Sequence, residues 1–174
     1  MPKLKSGDIF PKEEVARLGG GTLMLGQPEG GRDWQMVVVY RGLHCPICKK
    51  YLGKLEELKE RFHSMGLDVV AVSGDPEEKA REMARELALT VPVGYGLTTG
   101  QMKALGLYVS APRGPQETDR PFPEPAVFVI NGEGRLHIVD ISNAPFARPD
   151  LEALAGGLEF IRANDYPIRG TWAA

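Results

Sequence analysis

Apolar and polar positions follow two rhythms along this chain, and the first clear one is the run Met36, Val37, Val38, Val39. Consecutive apolar residues rich in β-branched side chains suit a strand buried on both faces, and Gly42 interrupts the run. From Ile47 the rhythm changes. Ile47, Tyr51, Leu55, Leu58, Phe62 and Met65 recur every three or four residues, with Lys54, Glu56, Glu57, Lys59, Glu60 and Arg61 between them. This is an amphipathic helix with Gly66 as its stop signal, and His63 in the last turn is expected at the surface. Leu67 to Ser73 is a second apolar strand. Asp75 as N-cap, Pro76 at the first helical position and Glu78 after them predict a helix reaching about Ala88. A short strand over Val91 to Val93 follows, then a small helix from Thr99 or Gly100 to Leu105.

The ends of the chain are patterned differently. Residues 1–34 read as an N-terminal extension around short strands, with Thr22 to Leu25 as one arm of a hairpin between glycine-rich turns. Those glycines lack the spacing of a phosphate-binding loop. From Ser110 to Glu124 periodicity disappears among prolines and charges, and a loop of that length in a compact domain is usually functional or mobile. Ala126 to Ile130 and Leu136 to Ile141 flank Asn131-Gly132-Glu133-Gly134, a hairpin pattern, with His137 at a solvated position. Pro149 and Asp150 open a last helix with Leu151, Leu154, Leu158 and Ile161 on one face. The order βαβαβ, small helix and loop, ββ hairpin, α predicts a three-layer α/β fold with a central mixed sheet.

Length and charge narrow the function. At 174 residues the chain is expected to form a single domain over 1–174. Its 21 basic and 23 acidic residues leave a net charge of −2, which gives no reason to expect nucleic acid or an anionic membrane as partner. No run approaches the roughly 18 apolar residues of a membrane span, and no apolar segment follows the N-terminus, so the expectation is a cytoplasmic protein.

In a reducing compartment, a closely spaced cysteine pair is more plausibly catalytic than structural. Cys45 and Cys48 are the only cysteines, and they fall between the strand and the helix. Pro46 fits the first helical position, which makes Cys45 the N-cap and puts Cys48 in the first turn. Both sulfurs then face the positive end of the helix dipole and its free N–H groups, the setting that stabilises a thiolate. Arg41, Lys49 and Lys50 push the same way or are ordinary solvated charges. A zinc site needs four ligands and lacks a second pair here, and haem attachment needs a histidine after the second cysteine, whereas His44 precedes the first. The remaining structural reading is two buried core cysteines. Helix-start spacing brings the two within disulfide reach, and the N-cap position, expected to project outward beside a buried Ile47 and Tyr51 face, favours Cys45 as the attacking thiol.

These residues resemble the thioredoxin superfamily, and more closely its peroxiredoxin-like branch of the alkyl hydroperoxide reductase and thiol-specific antioxidant type. Val39 to Cys48 is similar to the superfamily's strand and C-x-x-C, Val69 to Pro76 to the second peroxiredoxin strand, and Ala126 to Leu136 to the hairpin. The resemblance implies a thiol oxidoreductase that reduces hydroperoxides with Cys45 and Cys48, without a cofactor or metal. Its implied partners are a thioredoxin- or glutaredoxin-like thiol donor, a small hydroperoxide or disulfide substrate, and a second copy as a homodimer. It places Pro125 at the cis-proline facing the cysteines; Arg41 and His44 are expected around the substrate, and Arg120 or Arg113, if the loop folds back, would stand in for the family's active-site arginine, whose position before the hairpin strand holds Glu124 and Pro125 here. The chain departs from the family's P-x-x-x-T-x-x-C-P pattern, carrying Val38 and Gly42 where proline and threonine stand. A protein disulfide reductase and a redox-controlled binding module, using the 110–124 loop, are the competing functions.

Overall fold

The computed structural model describes residues 3–173. Among the described residues nine strands and four helices follow one another as β1 (Glu13–Arg17), β2 (Thr22–Leu25), β3 (Trp34–Val39), α1 (Pro46–Ser64), β4 (Leu67–Val72), α2 (Glu77–Glu86), β5 (Val93–Tyr95), α3 (Thr99–Ala104), β6 (Val109–Ser110), β7 (Phe122–Pro123), β8 (Ala126–Ile130), β9 (Leu136–Ile141) and α4 (Leu151–Asn164). Seven strands form one mixed sheet in the order β2-β1-β5-β4-β3-β8-β9. β3 and β4 pair in parallel through the α1 crossover, with Val39 opposite Val72, while β8 runs antiparallel on the other side of β3, with Val39 opposite Ala126.

The apolar runs are central because both of their faces are covered. Met36, Val38, Val69 and Ala71 point into a core with Leu52, Leu55 and Phe62 of α1 and Ala155 and Leu158 of α4. Val37, Val39, Val70 and Val72 point the other way, onto Phe10, Leu23, Met102 and Phe128. Three expectations change here. Residues 13–25 form a hairpin that joins the central sheet, because β1 pairs with β5 through Ala16 and Tyr95, and Gln35 locks the loop after it by accepting from Gly26 N and donating to Gln27 O. The α2 N-cap is Pro76 rather than Asp75, since the Asp75 carboxylate is occupied by the Leu43 N–H at 2.8 Å. His137 is half-buried, not solvated, with its ring 4.8 Å from that of Trp34.

Candidate active site

The site lies where β3 ends and α1 begins, and its local geometry starts with a glycine. Gly42 has φ +144°, and a Cβ there would sit 2.7 Å from Asp75 Oδ1 and 3.0 Å from His44 Nδ1. Only a residue without a side chain lets the turn pass that close to Asp75. The Asp75–Leu43 hydrogen bond then fixes the turn into the helix. Cys45 is the N-cap in an extended conformation, Pro46 occupies the first turn, and Cys45 Sγ accepts the Cys48 N–H at 3.2 Å. A cysteine here does what serine or aspartate usually does at an N-cap, and an anionic sulfur is the stronger acceptor.

The two thiols are free and differ in charge preference. Cys45 is pulled down to about 6 by the Cys48 thiol that hydrogen-bonds it, against the opposing effect of burial, with the Cys48 N–H and Arg41 adding to the pull. Cys48 is pushed up, first because its proton is committed to Cys45 and then by burial, with Arg148 opposing. At neutral pH the pair therefore carries one negative charge, on Cys45.

Arg41 leaves β3 beside that charge. Its Nη1 is 3.9 Å from Cys45 Sγ, while Nε lies 3.1 Å from Glu124 Oε2 and Nη2 lies 3.7 Å from Glu117 Oε1. The Nε–Oε2 pair is not aligned as a hydrogen bond, so it acts by charge. Glu124 is fixed in turn by the Ser110 hydroxyl at 2.6 Å. The 110–124 segment is thus no free loop. Its ends pair as β6 and β7, Phe122 packs under Arg41, and Glu117 and Glu124 fold back onto the arginine. His44 stands edge-on to Phe122 with neither ring nitrogen bonded, and burial followed by Arg41 lowers its pKa, so it is neutral. Arg41, Leu43, His44, Pro46, Lys79 and Glu117 line a cleft of about 500 Å³ whose wall includes both chain neighbours of Cys45 but not the buried Cys45 itself.

Several expected placements are corrected. The Glu124–Pro125 peptide is trans; Glu124 N donates to Tyr108 O and Pro125 O accepts from Ser142 N, a strand arrangement that trans geometry satisfies. Arg120 turns to Asp119, which it grips through Nε and Nη2 at 3.0 Å each, and has no hydrogen bond to either sulfur. Arg113 pairs with Glu117. Lys49 pairs with Glu86. Cys45 does not project into solvent, being 1% exposed against 0% for Cys48, whereas Ile47, expected inside, is 42% exposed.

One side chain in contact with one of the sulfurs has no counterpart in the sequence reading. Arg148, ahead of α4, donates from Nη2 to Cys48 Sγ at 3.1 Å, with its guanidinium 4.4 Å over the Tyr51 ring. It stands 100 residues from Cys48, and an arginine two places before the helix cap Asp150 looks like any surface cation. Among the described residues no cluster of three or more His, Cys, Asp or Glu side chains is arranged to hold a metal.

The AhpC/TSA family matches residues 6–139. No curated protein sequence matches the chain. Among solved structures, a variant of peroxiredoxin 6 from Arenicola marina superposes with TM-score 0.79 at 18% identity, over 97% of this chain and 80% of that one. A peroxiredoxin-like protein from Aquifex aeolicus gives 0.75 at 20% identity over 92% and 90%. Mycobacterium bovis AhpC gives 0.75 at 16% identity over 99% and 100%. These likenesses establish the thioredoxin-like fold, and the match over residues 6–139 establishes that the chain belongs to the AhpC/TSA family, a peroxiredoxin-like enzyme of the thiol peroxidase class within the thioredoxin superfamily.

Proposed function

We propose that the protein reduces hydroperoxides by cycling Cys45 and Cys48 between dithiol and intramolecular disulfide. The Cys45 thiolate attacks one oxygen of the peroxide, the O–O bond breaks, and the departing alkoxide takes a proton to leave as alcohol. Cys45 becomes a sulfenic acid, its sulfur oxidised by two electrons as the peroxide is reduced by two. Cys48 then attacks that sulfur, an S–S bond forms, and hydroxide leaves as water after protonation. A thiol donor returns two electrons and regenerates both cysteines. Arg41 and His44 border the peroxide in the cleft, Arg41 as a fixed cation and His44 as a neutral wall.

The observation that carries this reading is the unequal pair. One sulfur sits at the helix N-cap, held as a thiolate chiefly by the Cys48 thiol, with the Cys48 N–H at 3.2 Å and Arg41 adding to the pull, and the second thiol is one turn away. A thiolate is the reactive form toward peroxides, and a neighbouring thiol is what resolves a sulfenic acid. The disulfide reductase alternative uses the same cysteines but needs no cleft beside Arg41. Intact mass after one equivalent of hydrogen peroxide tests the proposal: a loss of two hydrogens, reversed by dithiothreitol with repeated peroxide consumption, is expected. Insulin reduction without peroxide consumption, or a sulfenic acid that persists beside a free Cys48, would overturn it.

A further inference from the structure

Arg148 is 9% exposed, its Nη1 has no partner, its Nε donates to Pro145 O at 2.7 Å and its Nη2 to Cys48 Sγ at 3.1 Å. Among the described residues no carboxylate lies within ion-pair distance of it. Arginine is rarely buried unless paired, and here the group positioned to supply a counter-charge is a sulfur that the resting state keeps protonated. Arg41 makes a contrast, since its charge is shared with Glu117 and Glu124. The groups facing Cys48 come from three places: Cys45 on its own helix start, Arg148 ahead of α4, and Tyr40 with the Arg41 backbone after β3. The acidic groups nearby, Asp140 and Asp150, act on Tyr51, over which Arg148 is stacked.

We infer that Arg148 is a catalytic residue of the resolving step, generating the Cys48 thiolate only after Cys45 has been oxidised. In the resting enzyme the Cys45 anion raises Cys48 by hydrogen bond and by charge, and burial adds to this. Once peroxide converts Cys45 to a neutral sulfenic acid, both contributions of the anion vanish and the cation of Arg148 remains. The Cys48 thiol gives up its proton, the thiolate attacks Cys45 Sγ, the S–O bond breaks, and the departing hydroxide takes up a proton to leave as water. The resolving nucleophile is thereby timed by the first chemical step. This inference rests on Cys45 as the attacking thiol.

The magnitude follows from two opposing effects. An opposite charge in contact lowers a pKa by about 1 to 3 units, and each unit costs a factor set by a Brønsted coefficient of about 0.4–0.5 in nucleophilicity. The net advantage is roughly 3-fold per unit while the thiol still titrates above the working pH and stops growing below it, so about 3-fold is expected at neutral pH. Reduced full-length protein mixed with one equivalent of hydrogen peroxide, quenched over time with a sulfenic-acid-trapping dione and weighed intact, separates sulfenate formation from disulfide formation. In Arg148→Gln the slowing is expected on disulfide formation, by that factor, closing as the pH rises into the ordinary thiol range. Arg148→Lys, which keeps the charge, should recover part of the rate. A wild-type rate of disulfide formation in Arg148→Gln, or a slowing that is the same at every pH, would overturn the inference. If Arg148→Gln does not fold, the pH profile of the wild-type resolving step decides: a group titrating below the usual cysteine value of about 8.5 is expected, and a rate that rises only above it overturns the inference. Trapping at Cys48 in Cys45→Ser, in contrast, would overturn the cysteine order on which it rests.

Discussion

Replacing Cys48 by alanine isolates what holds Cys45 as a thiolate. The Cys48 thiol is the largest influence lowering Cys45, ahead of the Cys48 N–H and Arg41, and alanine removes the thiol while keeping the N–H. A hydrogen bond to a charged group contributes about 1.5–3 kcal/mol, and 1.36 kcal/mol corresponds to one pKa unit, so the loss is roughly 1 to 2 units. Cys45 should then move from about 6 to roughly 7–8 by that conversion. At neutral pH the thiolate share falls from about nine-tenths to between about a half and a tenth. Ultraviolet thiolate absorbance, titrated on the reduced protein, reads this directly. Cys48→Ser, which retains a hydroxyl donor, should lie between the two. A Cys48→Ala protein titrating at or below the wild-type value would refute the assignment of the thiol hydrogen bond as the main cause and return the whole effect to the helix start.

Two further outcomes follow from the same site. Gly42→Ala forces a side chain into φ +144° and against Asp75 Oδ1, and should cost roughly 1–3 kcal/mol in denaturant-induced unfolding; a change below a few tenths would show that the turn has room to relax. Stability should also depend on pH through the cysteines. The folded Cys45 value of about 6 lies below its unfolded value of 9.0, so its contribution is present above about pH 9 and is lost as the pH falls through 6. Cys48 has the opposite sign, being raised, and its contribution is lost as the pH rises above its unfolded value. The stability of reduced wild type minus that of Cys45→Ser should therefore increase from pH 6 to pH 9 by up to about 3 kcal/mol, and a flat difference in urea titrations across that range would contradict the depressed value.

Local signals in the sequence translated into structure where one residue decides one geometry. Pro46 could only stand at the start of a helix, which made Cys45 its cap, and the β-branched runs could only be central strands because no polar alternation was present. The hairpin at Asn131 formed with both strand ranges as expected, since Asn131 Oδ1 accepts from Glu133 N and Arg135 N. Tertiary competition decided the rest. Asp75 has the chemistry of an N-cap, yet its carboxylate is used by Leu43 across the turn, so Pro76 caps α2. Ile47 belongs to the apolar period but faces away from the core in the first turn, where Cys48 takes the buried side, and stays 42% exposed. Residues 110–124 showed no periodicity because their order comes from charges, Glu117 and Glu124 on Arg41 and Asp119 on Lys79. The preference for Cys45 came from an exposure argument that the structure does not uphold; the unequal hydrogen bonding of two buried sulfurs now carries it. Arg148 was illegible because nothing local distinguishes an arginine stacked on Tyr51 and aimed at a sulfur from one in solvent.

The central claim is that Cys45 attacks and Cys48 resolves, and single-turnover peroxide consumption by the two serine variants tests it most directly. Cys48→Ser should consume one equivalent and hold a trappable sulfenic acid on Cys45, while Cys45→Ser should lose the first step. Peroxide consumption retained by Cys45→Ser and lost by Cys48→Ser would contradict the account, and would mean that Arg148, at 3.1 Å from Cys48, prepares the attacking thiol.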